Sequence, residues 1–305
     1  MPFNNHIDVN QFGLNDDWIT DLLLDKVGFS PYVRKFTSNY HSLMILEEDI
    51  ASALDTVARQ ANHVECVRRL LEILRRGGYL TQLPKPLHFK NQLTSYVQMY
   101  LPDCPFEINT TRQYSVIPEG CVTARRPIDR GVIKYLYGFL VSLKEEEEHD
   151  LDVTGRNFTI VTSSRSNCSS LFLGPARFVN HDCEGNAELR PANDGMQIVA
   201  TRYIRIGEEI TVKYGSHYFG EDNCDCLCAT CASIGRNGWA AESKAEGSTK
   251  QSLKPATMKR VSRLRRLRVR DRLTLALCMT CTPRSACFRC QRHLRIYGCR
   301  WPYTK

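Results

Sequence analysis

A chain of 305 residues can bury one large core or two modest ones. With 42% hydrophobic and 24% charged residues the composition is that of a globular protein, and apolar runs such as Leu22-Leu23-Leu24 are far too short to cross a bilayer. The net charge of +8 favours a polyanionic partner such as nucleic acid.

The segment Met1-Pro2-Phe3-Asn4-Asn5-His6 lacks the basic-then-apolar layout of a secretion signal, so a reducing compartment is expected. The 14 cysteines then read as thiols or metal ligands in place of disulfides.

The first hundred residues read as helical. Asn15-Asp16-Asp17 is expected to cap a short helix carrying Trp18, Ile19, Leu22 and Leu23. From Leu46 to Arg76, Ile50, Leu54, Val57, Val64, Val67, Leu71 and Leu74 recur at helical spacing. Acids open that helix, arginines close it, and Gly77-Gly78 stops it. A further helix over His88–Leu101 should bury Leu93, Tyr96, Val97 and Tyr100. This region reads as scaffold.

From Tyr114 the texture changes to short strands, expected at Ser115–Ile117, Cys121–Ala124, Val132–Leu136, Phe158–Thr162, Gln197–Ala200 and Ile210–Tyr214. The acid run Glu145–Glu148 reads as a solvated loop. No glycine-rich nucleotide fingerprint follows a strand. Residues 240–257 form a polar linker. Beyond it, eight basic residues and one acid lie between Lys259 and Arg272, with Val261, Leu264 and Leu267 among them. That reads as a basic amphipathic helix able to meet phosphates.

Two cysteine groups have metal-ligand spacing. Cys226-x-Cys228-x2-Cys231 offers three thiolates, and tetrahedral zinc needs a fourth ligand. Cys183 is the first choice, because a distant ligand would pin this segment, and Cys224 is its competitor. Cys278, Cys281, Cys287 and Cys290 form two CxxC pairs, a second zinc pattern with His293 and Cys299 as spare ligands.

Arg177-Phe178-Val179-Asn180-His181-Asp182-Cys183-Glu184-Gly185-Asn186 resembles the RFxNHxCxxN element of SET-domain lysine methyltransferases. Gly207-Glu208-Glu209-Ile210-Thr211-Val212-Lys213-Tyr214-Gly215 resembles their second element, and Tyr137-Gly138 their YxG strand. Glu119-Gly120-Cys121-Val122 lies at their glycine-rich opening turn but keeps a single glycine. The CxCx2C spacing is shorter than the CxCx4C of most relatives. With Leu173-Gly174-Pro175-Ala176 and Tyr218-Phe219-Gly220-Glu221-Asp222-Asn223 it is similar to the suppressor-of-variegation 4-20 class, which methylates lysine 20 of histone H4. Arg292-His293, Ile296-Tyr297-Gly298 and Trp301-Pro302 resemble its fungal branch.

The resemblance implies a mainly β SET domain of small irregular sheets with a pseudoknot. A helical domain would precede it, and zinc-bearing post-SET and C-terminal segments would follow. The expected boundaries are 1–112, 113–217, 218–236, a linker over 237–258, and 259–305. It implies S-adenosyl-L-methionine as methyl donor, Tyr214 as catalytic residue, and Asn180 and His181 as cofactor ligands, with Phe178, Ser115, Gly120 and Tyr214 around them. Phe158, Thr159 and Phe219 would line the lysine channel. Zn2+ would be held by Cys183, Cys226, Cys228 and Cys231, and again by Cys278, Cys281, Cys287 and Cys290. The implied partners are histone H4 in nucleosomes and DNA, and the implied location is the nucleus and chromosome. A non-catalytic chromatin-binding module and a methyltransferase of non-histone proteins are the alternatives.

Overall fold

The computed structural model describes residues 8–27, 33–82, 86–114, 118–162, 168–192 and 195–240. Ser115, the basic stretch 259–272 and Cys278, Cys281, Cys287 and Cys290 lie outside the described residues. The chain divides into two compact units, one of residues up to Thr111 with Pro118–Tyr214, the other of Arg112–Ile117 with the chain from Gly215 onward.

The first unit opens with helix α1 (Val9–Thr20), which runs on into a π turn at Asp21–Asp25. The N-cap is Asp8, whose carboxylate accepts the Asn10 N–H at 2.9 Å; Asn15-Asp16-Asp17 does not cap the helix but lies inside it, buried. The misplacement has a physical reason. These polar residues bond to distant segments, which no local pattern displays. Asp17 accepts the backbone N–H groups of Phe36 (2.7 Å) and Thr37 (2.6 Å), and Asp21 accepts that of Leu43 (2.8 Å). Burial raises the Asp17 carboxyl above its ordinary range, and these amides draw it back.

The long helix expected over Leu46–Arg76 is two helices, α2 (Glu47–Gln60) and α3 (His63–Arg76). Ala61 adopts φ +54°, and Asn62 caps α3 by accepting the Glu65 N–H at 3.0 Å. The break rotates the second half, so Val64 is exposed, while Cys66, Val67, Leu70 and Leu74 are buried. Helix α4 (Pro86–Gln98) follows, and Leu93, Tyr96, Val97 and Tyr100 are buried as expected.

Strands β1 (Phe106–Thr111) and β2 (Glu119–Ala124) pair antiparallel. The main sheet contains β3 (Gly131–Ser142), β4 (Ile160–Thr162), β5 (Ser169–Leu173), β6 (Asn180–His181), β7 (Ala187–Ala192), β8 (Gly195–Ala200) and β9 (Thr211–Val212). Its strand order is β4-β5-β3-β8-β7-β9-β6. The strand expected at Ser115–Ile117 lies outside the described residues; the other five expected positions fall on strands, with β2, β3 and β8 longer and β4 and β9 shorter than expected, while β1, β5, β6 and β7 lack a clear alternation. Glu145–Glu148 is not a loop: it opens helix α5 (Glu145–Val153), where four acids suit the positive end of the dipole.

Helix α1 packs on this sheet. Val9 and Phe12 join Phe36, Val141, Leu151, Leu171 and Leu173 in one buried cluster, so the helical segment and the strands share a core. No described helix is long and apolar enough to cross a membrane.

Candidate active site

Two short parallel pairings assemble the site. Asn180 and His181 of β6 lie opposite Thr211 and Val212 of β9, and Ala187 of β7 pairs with Val212 from the other side. Residues 25 to 31 positions apart thereby become neighbours, and Tyr214 lies two residues beyond the end of β9. The Tyr214 backbone N–H donates to His181 Nδ1 at 3.0 Å, and its hydroxyl donates to the Val179 carbonyl at 2.7 Å. The two rings stand 5.4 Å apart. Both ends of Tyr214 are thus fixed by the segment that carries Asn180 and His181.

His181 is buried, and Nδ1 is an acceptor, which places the ring proton of the neutral form on Nε2. Nε2 lies 3.4 Å from Cys183 Sγ. Burial holds the imidazole below its ordinary pKa, outweighing the nearby Asp182 carboxylate.

Asn180 donates from Nδ2 to the Gly120 carbonyl and to Glu209 Oε1, both at 3.0 Å. Gly120 must be glycine here for lack of room: a Cβ on it would sit 2.6 Å from the Phe178 ring. A single glycine in this turn therefore suffices for the backbone and Phe178 to meet. Asn186 completes the frame, donating to Glu208 Oε1 (3.1 Å) and the Glu209 carbonyl (2.8 Å) and accepting the Thr211 N–H (3.0 Å).

Tyr214, Asn180, His181, Phe178 and Gly120 are therefore brought together. The Phe158 ring has the Arg34 guanidinium at 4.5 Å and that of Arg177, which also lies over Phe178, at 5.7 Å. Thr159 is half-buried, and its carbonyl accepts the Phe172 N–H at 2.9 Å. Phe219, in the second unit, is half-buried and meets the Tyr218 ring edge to face at 4.8 Å. Sequence reasoning missed Glu209 and the Val179 carbonyl. Glu209 resembles any surface acid, and a main-chain oxygen leaves no residue-type signal. Asn186 closes the motif and was the detectable signal for the frame.

The second unit holds Cys226, Cys228 and Cys231, all buried. Helix α6 (Ala229–Ile234) starts from Cys228, whose sulfur accepts the Cys231 N–H at 3.4 Å. Cys231 Sγ accepts from Asn237 Nδ2 at 3.2 Å and from Arg236 Nε at 3.5 Å. N–H donors aimed at buried sulfur stabilise thiolate over thiol, the form a metal requires. The donor set fits zinc. Cys183 is half-buried in the first unit, and Cys224 is exposed.

The SET domain family matches residues 119–215. The histone-lysine N-methyltransferase set9 of Aspergillus terreus is 46% identical over 245 residues, which is 78% of this chain and 39% of that protein. The histone-lysine N-methyltransferase SET9 of Gibberella zeae is 46% identical over 241 residues, 76% of this chain and 36% of its own length. The chain therefore spans under two fifths of these curated relatives. The Neurospora SET domain protein DIM-5, a histone lysine methyltransferase, overlaps 37% of this chain and 53% of its own at 17% identity and a TM-score of 0.29. Two parallel strand pairs that carry the Asn-His and Tyr elements lie inside the matched span, and residues 119–215 are a SET domain.

Proposed function

We propose that this chain is the catalytic part of an S-adenosylmethionine-dependent histone-lysine methyltransferase whose substrate is lysine 20 of histone H4 in nucleosomes. The observation that carries the reading is the fixing of Tyr214 at both ends, by His181 Nδ1 and by the Val179 carbonyl. The bound donor supplies an electrophilic methyl group on a sulfonium. Its transfer to an amine is an in-line displacement, so alignment and exclusion of water govern the rate.

The residues suit that chemistry. The Tyr214 hydroxyl directs its proton to Val179, so its oxygen meets an incoming lysine amine as an acceptor and orients the lone pair. The same two oxygens stabilise positive charge on the amine as the new bond forms. Asn180, pinned at its nitrogen by Gly120 and Glu209, and His181 bind the donor, with Phe178 and Gly120 forming the wall beside them. Phe158, Thr159 and Phe219 line the lysine's approach.

The names of the relatives support the histone substrate. The choice of H4 lysine 20 rests on the CxCx2C spacing and its flanking segments. Cys226, Cys228 and Cys231 hold zinc with Cys183 as fourth ligand, Cys278, Cys281, Cys287 and Cys290 hold a second, and the basic stretch 259–272 contacts DNA. The location is the nucleus and its chromosomes.

The protein is incubated with S-adenosylmethionine and recombinant nucleosomes, and the products are mapped by mass spectrometry. Methyl groups on lysine 20 of H4 are expected. Nucleosome binding without transfer would make the chain a chromatin-binding module, and transfer to other proteins alone would redirect the substrate. Metal analysis of Cys228→Ser should show less zinc than wild type; unchanged content refutes the ligand set.

A further inference from the structure

One carboxylate in the helical segment reaches the turn that leads into the site. Asp16, in the middle of α1, is fully buried. Its Oδ1 accepts the Tyr96 hydroxyl of α4 at 2.7 Å and the Gly174 N–H at 3.1 Å, and its Oδ2 forms an ion pair with Arg177 Nη1. Arg177 is 3% exposed at its side chain, donates from Nη2 to the Arg34 carbonyl at 2.7 Å, and stacks on Phe178 at 4.9 Å. Gly174 (φ +94°) is the N-cap of the 3-10 turn Pro175–Phe178 and Arg177 is its third residue, so one side chain holds the entry to that turn and a residue inside it.

The turn has little freedom downstream. Phe178 presses on the Gly120 backbone, the Val179 carbonyl receives the Tyr214 hydroxyl, and Asn180 bonds the Gly120 carbonyl. Shifting the turn displaces the Phe178 wall, the Val179 acceptor and the Asn180 amide together. We propose that Asp16 is a positioning residue for methyl transfer, acting through Arg177 and Gly174 to set the Pro175–Phe178 turn, and with it Phe178, the Val179 carbonyl and Tyr214. This rests on the methyltransferase reading only for its activity readout.

A purely structural Asp16 would affect catalysis only as far as it affects stability. The test compares Asp16→Asn with Leu54→Ala, a deletion at a fully buried position of α2, in the full chain. Asp16→Asn keeps the shape and removes the charge that Arg177 needs. Measured well below both melting temperatures, kcat on nucleosomes should fall at least tenfold in Asp16→Asn and less than twofold in Leu54→Ala. Hydrogen exchange read by mass spectrometry should speed up across 174–181 and 211–214 in Asp16→Asn alone. Equal effects of the two variants on both readouts overturn the proposal. If wild type transfers no methyl group, the methyltransferase reading falls, and the exchange comparison still decides the role of Asp16. Should Asp16→Asn not fold, Arg177→Lys takes its place: it retains the buried charge but not the fork, and exchange no faster than wild type in the same segments refutes the inference.

Discussion

Helices α1 and α3 are both rich in charge and use it in opposite ways. In α3, Glu65 pairs with Arg68 and Arg69 and Glu72 with Arg75 and Arg76, all three or four residues apart on the surface. In α1, Asp16 and Asp17 are buried, and their partners lie 19 to 161 residues away. The charges of α3 decorate a helix already secured by Val67, Leu70 and Leu74. The charges of α1 are joints: they decide where the loop at Phe36-Thr37 and the 174–178 turn come to rest. A buried carboxylate that satisfies backbone N–H groups is costly to lose, whereas an exposed pair contributes little because water competes for both partners.

That contrast is tested most severely at Asp17. Asp17→Ala leaves the buried Phe36 amide and the half-buried Thr37 amide without their acceptor; an orphaned buried N–H costs roughly 1–3 kcal/mol and a half-buried one less, so a loss of about 3 kcal/mol in chemical denaturation is expected. A loss below about 1 kcal/mol, the ordinary worth of a hydrogen bond, would mean that α1 is decorated as α3 is. Tyr214 carries the same logic into the site. Tyr214→Phe removes a hydroxyl bonded 35 residues away, and a fall in methyl transfer on the order of 10²-fold is expected with donor binding retained. Wild-type turnover by the folded variant would remove Tyr214 from its assigned role.

The same distinction explains what the sequence displayed. The amphipathic face of α4, the positions of β2, β3 and β8, and the gathering of Asn180, His181 and Tyr214 were legible because period and motif spell them locally. The break between α2 and α3 was not: Ala61 enters the left-handed region without being glycine, and only the Asn62 cap marks it. Asp16 was legible as an acid and illegible as a joint, since nothing near it announces Arg177. Strand β6 is two residues long, too short for any alternation to appear, and pairing alone defines it. Glu209 was quoted within a motif, yet its bond to Asn180 needed the fold to bring it there.

Gly120 sharpens the comparison from the side of packing. A methyl group there would meet the Phe178 ring at 2.6 Å, and the ring is held in turn by Arg177. Overpacking of this kind costs about 2 kcal/mol. Gly120→Ala should therefore melt earlier and bind the donor more weakly, as isothermal calorimetry would read. If the turn that Asp16 holds is rigid, the ring cannot step aside. An alanine variant with unchanged donor affinity would show that Phe178 yields and the turn is softer than its bonds imply.

The smallest effect is expected at Glu65. Hydrogen bonds from Arg68 and Arg69 hold its carboxyl at about 2, below the ordinary 4.5. A depressed carboxyl contributes stability that is present above 4.5 and lost as pH falls toward 2. The group is exposed, so solvent screens most of that contribution. Melting curves of Glu65→Gln and wild type should nearly coincide at pH 7 in physiological salt, and the residual gap should close as the pH is lowered through that window. A gap approaching that of Asp17→Ala, or one that widens on acidification, would abolish the division between joint and decoration, because it would show α3's surface pairs fixing the fold as α1's buried acids do.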